Sequence, residues 1–145
     1  ESIVKKLKRH GYESSIENMV RYVNDIAGIR ISCSFTSDIY LIADMISKQN
    51  DLTILARRDY MKNPKKSGYR SYHMLVTKVE IQIRTVAQDF CATLEHKMHY
   101  KFEGDGPDYI TKELRECARY VAELDTRMEE LNNEIQKYGI LSDIK

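Results

Sequence analysis

Glu80-Ile81-Gln82-Ile83-Arg84-Thr85 is the stretch on which the fold turns, because polar and apolar residues alternate in it without a break. A strand has period two, so Glu80, Gln82 and Arg84 point to one face while Val79, Ile81 and Ile83 point to the other. A merely solvated sheet face would give the same alternation. What separates the two readings is the company this face keeps. Upstream, Ile26 to Phe35 has a similar pattern, with Ile29, Ile31, Cys33 and Phe35 alternating with Arg30, Ser32 and Ser34. Asp25 stands just ahead of that run. Two carboxylates, Asp25 and Glu80, therefore sit in strand-like contexts that can aim them at one site.

Outward from these strands, Ser2 to Arg9 reads as a basic helix with Ile3, Val4 and Leu7 on one stripe, stopped by Gly11. Residues 15 to 23 read as a second short helix. Ser37 is expected to cap a helix running to about Gln49, with Ile39, Ile42, Ala43 and Ile46 at helical spacing. Leu52 to Leu55 reads as a strand. Residues 57 to 70 differ in kind: Arg57, Arg58, Lys62, Lys65, Lys66 and Arg70 face one acid, Asp59, and Pro64 and Gly68 break regular structure. This cationic loop feeds a strand from Tyr69 to Thr77, and the strand carrying Glu80 follows. Thr85 and Gln88 form a capping box, and Ala87, Phe90, Cys91, Leu94 and Met98 give the next helix an apolar face.

Gly104 to Pro107 breaks the chain, and Asp108 to about Tyr138 reads as one long helix. Its Leu114, Cys117, Val121, Leu124, Met128, Leu131 and Ile135 recur at steps of three and four, a coiled-coil period. The plain alternative is a helix packed lengthwise on its own domain; so regular a seam favours self-association. The expected fold is α+β (mixed α/β), a central mixed β-sheet flanked by helices with a long C-terminal helix. The expected division is residues 1–107 as one domain and 108–145 as a C-terminal helical extension, an expected oligomerisation element.

With 145 residues the chain suffices for one domain with a core. Its 42% hydrophobic and 31% charged residues are an ordinary balance, and a net charge of +1 argues against a wholesale nucleic-acid or membrane binder. No apolar run is long enough to span a bilayer, and no secretory segment is present. Cys33, Cys91 and Cys117 are too widely spaced for a disulfide framework or a metal knuckle, which suits a reducing cytoplasm.

Two carboxylates beside a cationic Gly/Pro loop suit phosphate chemistry. Mg2+ takes hard oxygen ligands, commonly one or two carboxylates plus substrate phosphates. Lysines and arginines neutralise charge on phosphoryl oxygens, and a flexible loop 57–70 would close over a nucleotide. As a solvated loop it would be unremarkable, and composition alone leaves the two readings level. Tyr69, Ser71 and His73 share a strand face; Tyr69 either stacks a base or covers the core edge, and His73 either meets phosphate or bonds a neighbouring backbone group. Glu95, His96 and His99 lie on one helix, but their spacing favours a structural role over metal binding. Cys91 has no activating neighbour in sequence, and there is no Walker or dinucleotide glycine signature.

Taken together, Asp25-Ile26-Ala27-Gly28-Ile29-Arg30, Arg58-Asp59-Tyr60, Gly68-Tyr69-Arg70-Ser71-Tyr72-His73 and Glu80-Ile81-Gln82-Ile83-Arg84-Thr85, followed by Ala92-Thr93-Leu94-Glu95-His96-Lys97, resemble the RelA/SpoT-type alarmone synthetases. The match runs from Ser2 to about Phe102, and the long helical tail looks like that of the single-domain small alarmone synthetases. No His-Asp dipeptide of the related hydrolases occurs. The resemblance implies a nucleotidyltransferase-like synthetase domain that transfers the β,γ-diphosphate of ATP to the 3′-hydroxyl of GDP or GTP, releasing AMP and making (p)ppGpp. It implies that Asp25 holds Mg2+ and that Glu80 shares the metal or acts as general base. Lys6, Arg9 and Arg30 would bind ATP, with Arg30 stacking on adenine. Arg58, Lys65, Tyr69, His73, Gln82 and Asp89 would surround the acceptor nucleotide, Tyr69 stacking on guanine and Asp89 accepting from its N1–H and N2–H donors. A homo-oligomer, a tetramer by the same resemblance, would form through the C-terminal helices.

The sequence departs from that family in three places. An Arg-x-Lys pair that usually precedes the first helix is absent, the excursion between Val76 and Val79 is shorter than usual, and Cys91 stands where many relatives have tryptophan. The rival reading is a nucleotide- or RNA-binding module without turnover, against which the presence of both Asp25 and Glu80 speaks; nothing else indicates RNA. A plain nucleotidyltransferase would show Gly-Ser followed by paired aspartates on a strand, and none occurs.

Overall fold

The computed structural model describes residues 2–9, 11–13, 15, 18, 27–77, 79–99 and 108–142, without the side chains of Ser2, Ile3, Lys6, His99, Ile140, Leu141 and Ser142. Within them the elements run α1 (Ser2–Arg9), β1 (Ala27–Cys33), α2 (Thr36–Ser47), β2 (Ile54–Asp59), β3 (Tyr72–Val76), β4 (Val79–Thr85), α3 (Val86–His99) and α4 (Asp108–Ser142). Asp25 and most of the helix expected over residues 15 to 23 lie outside the described residues.

The four strands form one sheet in the order β1-β4-β3-β2. β1 runs parallel to β4, while β4 with β3 and β3 with β2 are antiparallel, which makes the sheet mixed as expected. The parity read from Glu80 to Thr85 holds. Ile81 and Ile83 are buried with Met74, Val76, Ile39 and Ala43 under α2, and Ile31 and Cys33 of β1 pack against the same cluster. Pairing then fixes the opposite face. Arg30 lies opposite Gln82, Gln82 opposite His73, and His73 opposite Arg58, so one row crosses all four strands. The neighbouring row pairs Gly28 with Glu80.

Local signals explain most boundaries. Gly11 takes φ +77°, and its N–H with that of Tyr12 closes α1 onto Lys8 and Leu7 carbonyls. α2 begins one residue before Ser37; its N-cap residue is Phe35, whose N–H donates to the carboxylate of Asp38 at 3.0 Å, and the Ser37 N–H instead donates to Glu129. The expected strand from Leu52 to Leu55 is displaced to Ile54–Asp59, so Arg57 and Arg58 are strand residues rather than loop. Their side reaches explain it: Arg57 bonds Ser47 of α2, and Tyr40 of α2 donates to Asp59, so charged residues serve the sheet edge. The apolar face expected on α3 is also different. Phe90, Leu94 and Met98 are exposed among the described residues, and Gln88 is the buried residue.

The first half of α4 packs onto α3 and on the loop before β3. Gly68 is required there: it has φ +87°, and a Cβ would come within 2.7 Å of the Ala118 side chain. Its buried acid, Asp125, accepts from Thr85 Oγ1 at 2.8 Å and Gln88 Nε2 at 2.7 Å. The seam is split along its length: Leu114 and Val121 are half-buried, Val121 against Gly68 and the α3 residues Gln88 and Cys91, whereas Leu124, Met128, Leu131 and Ile135 are each about half exposed or more. Lengthwise packing on the domain thus uses the first part of the seam and leaves the second part uncovered. Among the described residues no helix is long and apolar enough to cross a membrane.

Candidate active site

The polar face of the sheet carries a chain of side chains whose donors and acceptors all run in one sense. Arg84 Nη2 donates to the Tyr69 hydroxyl at 2.7 Å, and that hydroxyl lies 2.9 Å from His73 Nε2. His73 Nδ1 lies 3.0 Å from Glu80 Oε1. A carboxylate only accepts, so the Nδ1 proton points to Glu80, and Nε2 is left to accept the Tyr69 O–H. Burial lowers the imidazole pKa below its ordinary 6.5, against the opposing pull of Glu80, so His73 is neutral near pH 7 and this tautomer completes the chain. Gln82 Nε2 donates to the second Glu80 oxygen at 2.8 Å, and its carbonyl accepts from Arg84. Glu80 is thereby fixed in rotamer by two neutral donors, at a side-chain exposure of 24%.

Arg84 also reaches Asp89, in the first turn of α3, at 3.3 Å, and Arg30 Nε approaches the same Asp89 oxygen at 3.3 Å. These groups border an open cleft of about 430 Å³ lined by Arg30, Tyr69, Arg84 and the α3 residues Ala92, Thr93, Glu95, His96 and Lys97. That volume falls in the range of ligand sites. The cationic loop supplies Lys65, whose ammonium sits 4.6 Å from the Tyr69 ring centroid and 5.0 Å from that of Tyr60.

The loop is not loose, in contrast to the flexibility expected of it. Asp59 Oδ1 accepts the Met61 and Lys62 N–H groups, Arg70 donates to the Met61 carbonyl, and Arg115 of α4 donates to the Lys66 carbonyl. Its lysine heads are thus presented from an anchored backbone.

The site residues expected from sequence divide into three groups. Glu80, Gln82, His73 and Tyr69 form one bonded set, Arg30 and Asp89 join it through Arg84, and Lys65 and Arg58 border it. Arg9 is an exposed residue of α1. Asp25 and the Lys6 side chain lie outside the described residues. Sequence reading assigned no role to Arg84 or Asp125. The signal for Arg84 was available, since it shares the strand face of Glu80 and Gln82; nothing local marks Asp125, which is buried only through a contact 40 residues distant in sequence.

Cys33 is held to about 11 by burial first and Asp38 second, and burial also raises Cys91, so neither is a ready thiolate. Among the described residues no three His, Cys, Asp or Glu side chains form a metal cage, and His96 instead borders the cleft. Among the described residues Glu80 offers a hard carboxylate with neutral donors on both oxygens, which fits a Mg2+ ion that takes one or two carboxylates and completes its shell with phosphates and water.

Comparison with known proteins adds to this geometry. Residues 1–105 match the model of the region found in RelA and SpoT proteins. The chain is 43% identical to the GTP pyrophosphokinase YwaC of Bacillus subtilis, over 93% of this chain and 70% of that protein. Its fold superposes on small alarmone synthetase 1 of Bacillus subtilis bound to its product pppGpp, with TM-score 0.83 and 35% identity over 93% of this chain and 74% of that one. Small alarmone synthetase 2 of the same organism gives TM-score 0.81 and 41% identity over 92% and 75%.

Proposed function

This chain belongs to the RelA/SpoT family and, within it, to the small alarmone synthetases, and from that membership we propose the reaction its polar sheet face performs. It is a GTP pyrophosphokinase: the 3′-oxygen of GDP or GTP attacks the β-phosphorus of ATP, the bond from that phosphorus to the α,β-bridging oxygen breaks, and AMP leaves with (p)ppGpp formed. The observation that carries this reading is the row Arg30–Gln82–His73–Arg58 with Glu80 in the neighbouring row, a carboxylate held by His73 and Gln82 on a sheet face whose row ends in a cation on each side.

Phosphoryl transfer asks little covalent work of a protein, so positioning and charge do most of it. Glu80, held by His73 and Gln82, accepts the proton of the 3′-hydroxyl or shares Mg2+ with Asp25. Where Glu80 and Asp25 held Mg2+, the ion would supply charge neutralisation for the phosphate oxygens. Lys65 and Arg58 stand beside the acceptor phosphates, Tyr69 offers its ring to guanine, and Asp89 accepts from the guanine edge. Arg30 serves adenine, with Lys6 and Arg9 toward the ATP phosphates. The working compartment on this reading is the cytoplasm, where nucleotides and free thiols coexist.

Residues 108–145 act as an extension with two sides. One is bonded into residues 1–107, and the other, the exposed part of the seam from Leu124 to Ile135, joins copies of the chain into a homo-oligomer, a tetramer by likeness to the family. Leu131→Arg with Ile135→Arg tests the seam without touching Asp125; light scattering should show a smaller species, and an unchanged mass would refute the interface.

The deciding experiment incubates the protein with labelled ATP, GDP and Mg2+ and resolves the products. AMP and a guanosine 3′-diphosphate product are expected in equal amounts. Asp25→Ala and Glu80→Ala should each abolish formation while leaving the far-UV dichroism unchanged; normal turnover in either dismisses its role.

A further inference from the structure

Arg84 is buried, with 4% of its surface exposed, and a guanidinium in that position is heavily penalised unless every contact is well made. Its pairing is sparing for a core cation. The only carboxylate within reach among the described residues is Asp89, shared with Arg30, and its Nε is a buried donor with no partner. Stability alone would favour an apolar side chain of similar volume at such a site. What the guanidinium does supply is a rigid planar fork. One edge holds Asp89, the other holds the Tyr69 hydroxyl and the Gln82 carbonyl, and its carbon sits 5.1 Å from the Tyr69 ring centroid.

We propose that Arg84 is the positioning residue that sets guanine selection, by fixing the Tyr69 ring and the Asp89 carboxylate at a constant separation. The inference rests on the alarmone-synthetase reading of this site and adds a residue to it. Tyr69 precedes β3 and Asp89 lies on α3, so no backbone pairing ties one to the other. Arg84, on the strand between them, is the one described side chain bonded to both. Both cations approach Oδ1 of Asp89, which leaves the Oδ2 edge to meet the N1–H and N2–H donors of a base stacked on Tyr69. A lysine at position 84 keeps the charge but cannot span the two partners in one plane.

The test compares GDP with inosine diphosphate, which lacks the N2 amino group, as acceptors at saturating ATP. The ratio of their kcat/KM values does not depend on how much of the protein is folded, so a loss of structure alone leaves it unmoved. Wild type should prefer GDP about tenfold or more, the worth of a hydrogen bond to a charged group. Arg84→Lys should bring the preference close to one, chiefly through KM for GDP, with KM for ATP changed less than about twofold. Asp89→Ala, which removes the acceptor, should do the same, and the double variant should add nothing further. An Arg84→Lys enzyme that retains the wild-type ratio, or whose effect adds fully to that of Asp89→Ala, overturns the proposal, as does a wild type indifferent to the N2 group. A wild type that forms no product from ATP and GDP overturns the alarmone reading itself, and equilibrium binding of the two nucleotides to Arg84→Lys serves should its turnover be too slow to measure.

Discussion

The two faces of the sheet are built from alternate residues of the same strands and obey opposite rules. Beneath α2, Ile81, Ile83, Met74 and Val76 are held by contact alone, and any side chain of the same shape would serve. On the other face Glu80, Gln82, His73 and Arg84 are each defined by a donor or acceptor on the next, so chemistry as well as shape is fixed. The first face stores stability. The second spends some of it, since it buries an arginine and a histidine to hold one carboxylate still.

The largest effect that would sharpen this contrast is Glu80→Gln. Removing a positioned proton acceptor should lower kcat/KM about 10²–10⁴-fold. The thermal midpoint should fall only slightly, because removal of a half-buried charge offsets the one donor, of His73 and Gln82, that the new amide nitrogen cannot accept from; a large fall in stability would mean that the polar face is also structural. Ile83→Ala, one residue on in parity, should do the reverse. Deleting a fully buried isoleucine should cost about 2–5 kcal/mol in urea unfolding while the KM values of the remaining folded enzyme stay unchanged. Selective loss of acceptor binding in that variant would break the division between faces.

Smaller is Tyr69→Ala, expected to weaken GDP binding by about 1–3 kcal/mol, the worth of one stacked base, measured by calorimetry. An unchanged affinity would remove the ring from the acceptor site. The smallest concerns Asp125, whose pKa is raised, first of all by burial. The folded state therefore holds this proton more tightly than the unfolded chain does. Stability from this group is present at low pH and is lost as pH rises from the ordinary aspartate value of 3.8 through the folded one. Asp125→Asn should abolish that slope, because Thr85 and Gln88 both donate to Oδ2 and an amide oxygen there accepts from both. Urea midpoints of the two proteins, compared across mildly acid pH, should diverge in favour of the variant as pH rises; parallel curves would contradict it.

What could be read from the chain follows the same division. The parity of β4 and β1 was legible because a half-buried strand writes its two environments on alternate residues, and α1 and the Thr85–Gln88 cap follow from local rules. The displacement of β2 was hidden, since Arg57, Arg58 and Asp59 look like loop until α2 offers Ser47 and Tyr40 as partners. On α3 two apolar stripes compete, and periodicity cannot say that Gln88 goes inside while Phe90 stays out; that choice belongs to Asp125 on a distant helix. The site was legible as a set of residue types. The arrangement in which Arg84 joins Tyr69 to Asp89 is a three-dimensional fact with no spacing to announce it.

Asp125 has one more bearing. It grips Thr85, the root of the strand that holds Glu80, and Gln88, the neighbour of Asp89, while Leu124 beside it and Met128 one turn on are about half exposed. One carboxylate thus serves as a keystone, locking the end of a strand and the first turn of a helix together from a third element.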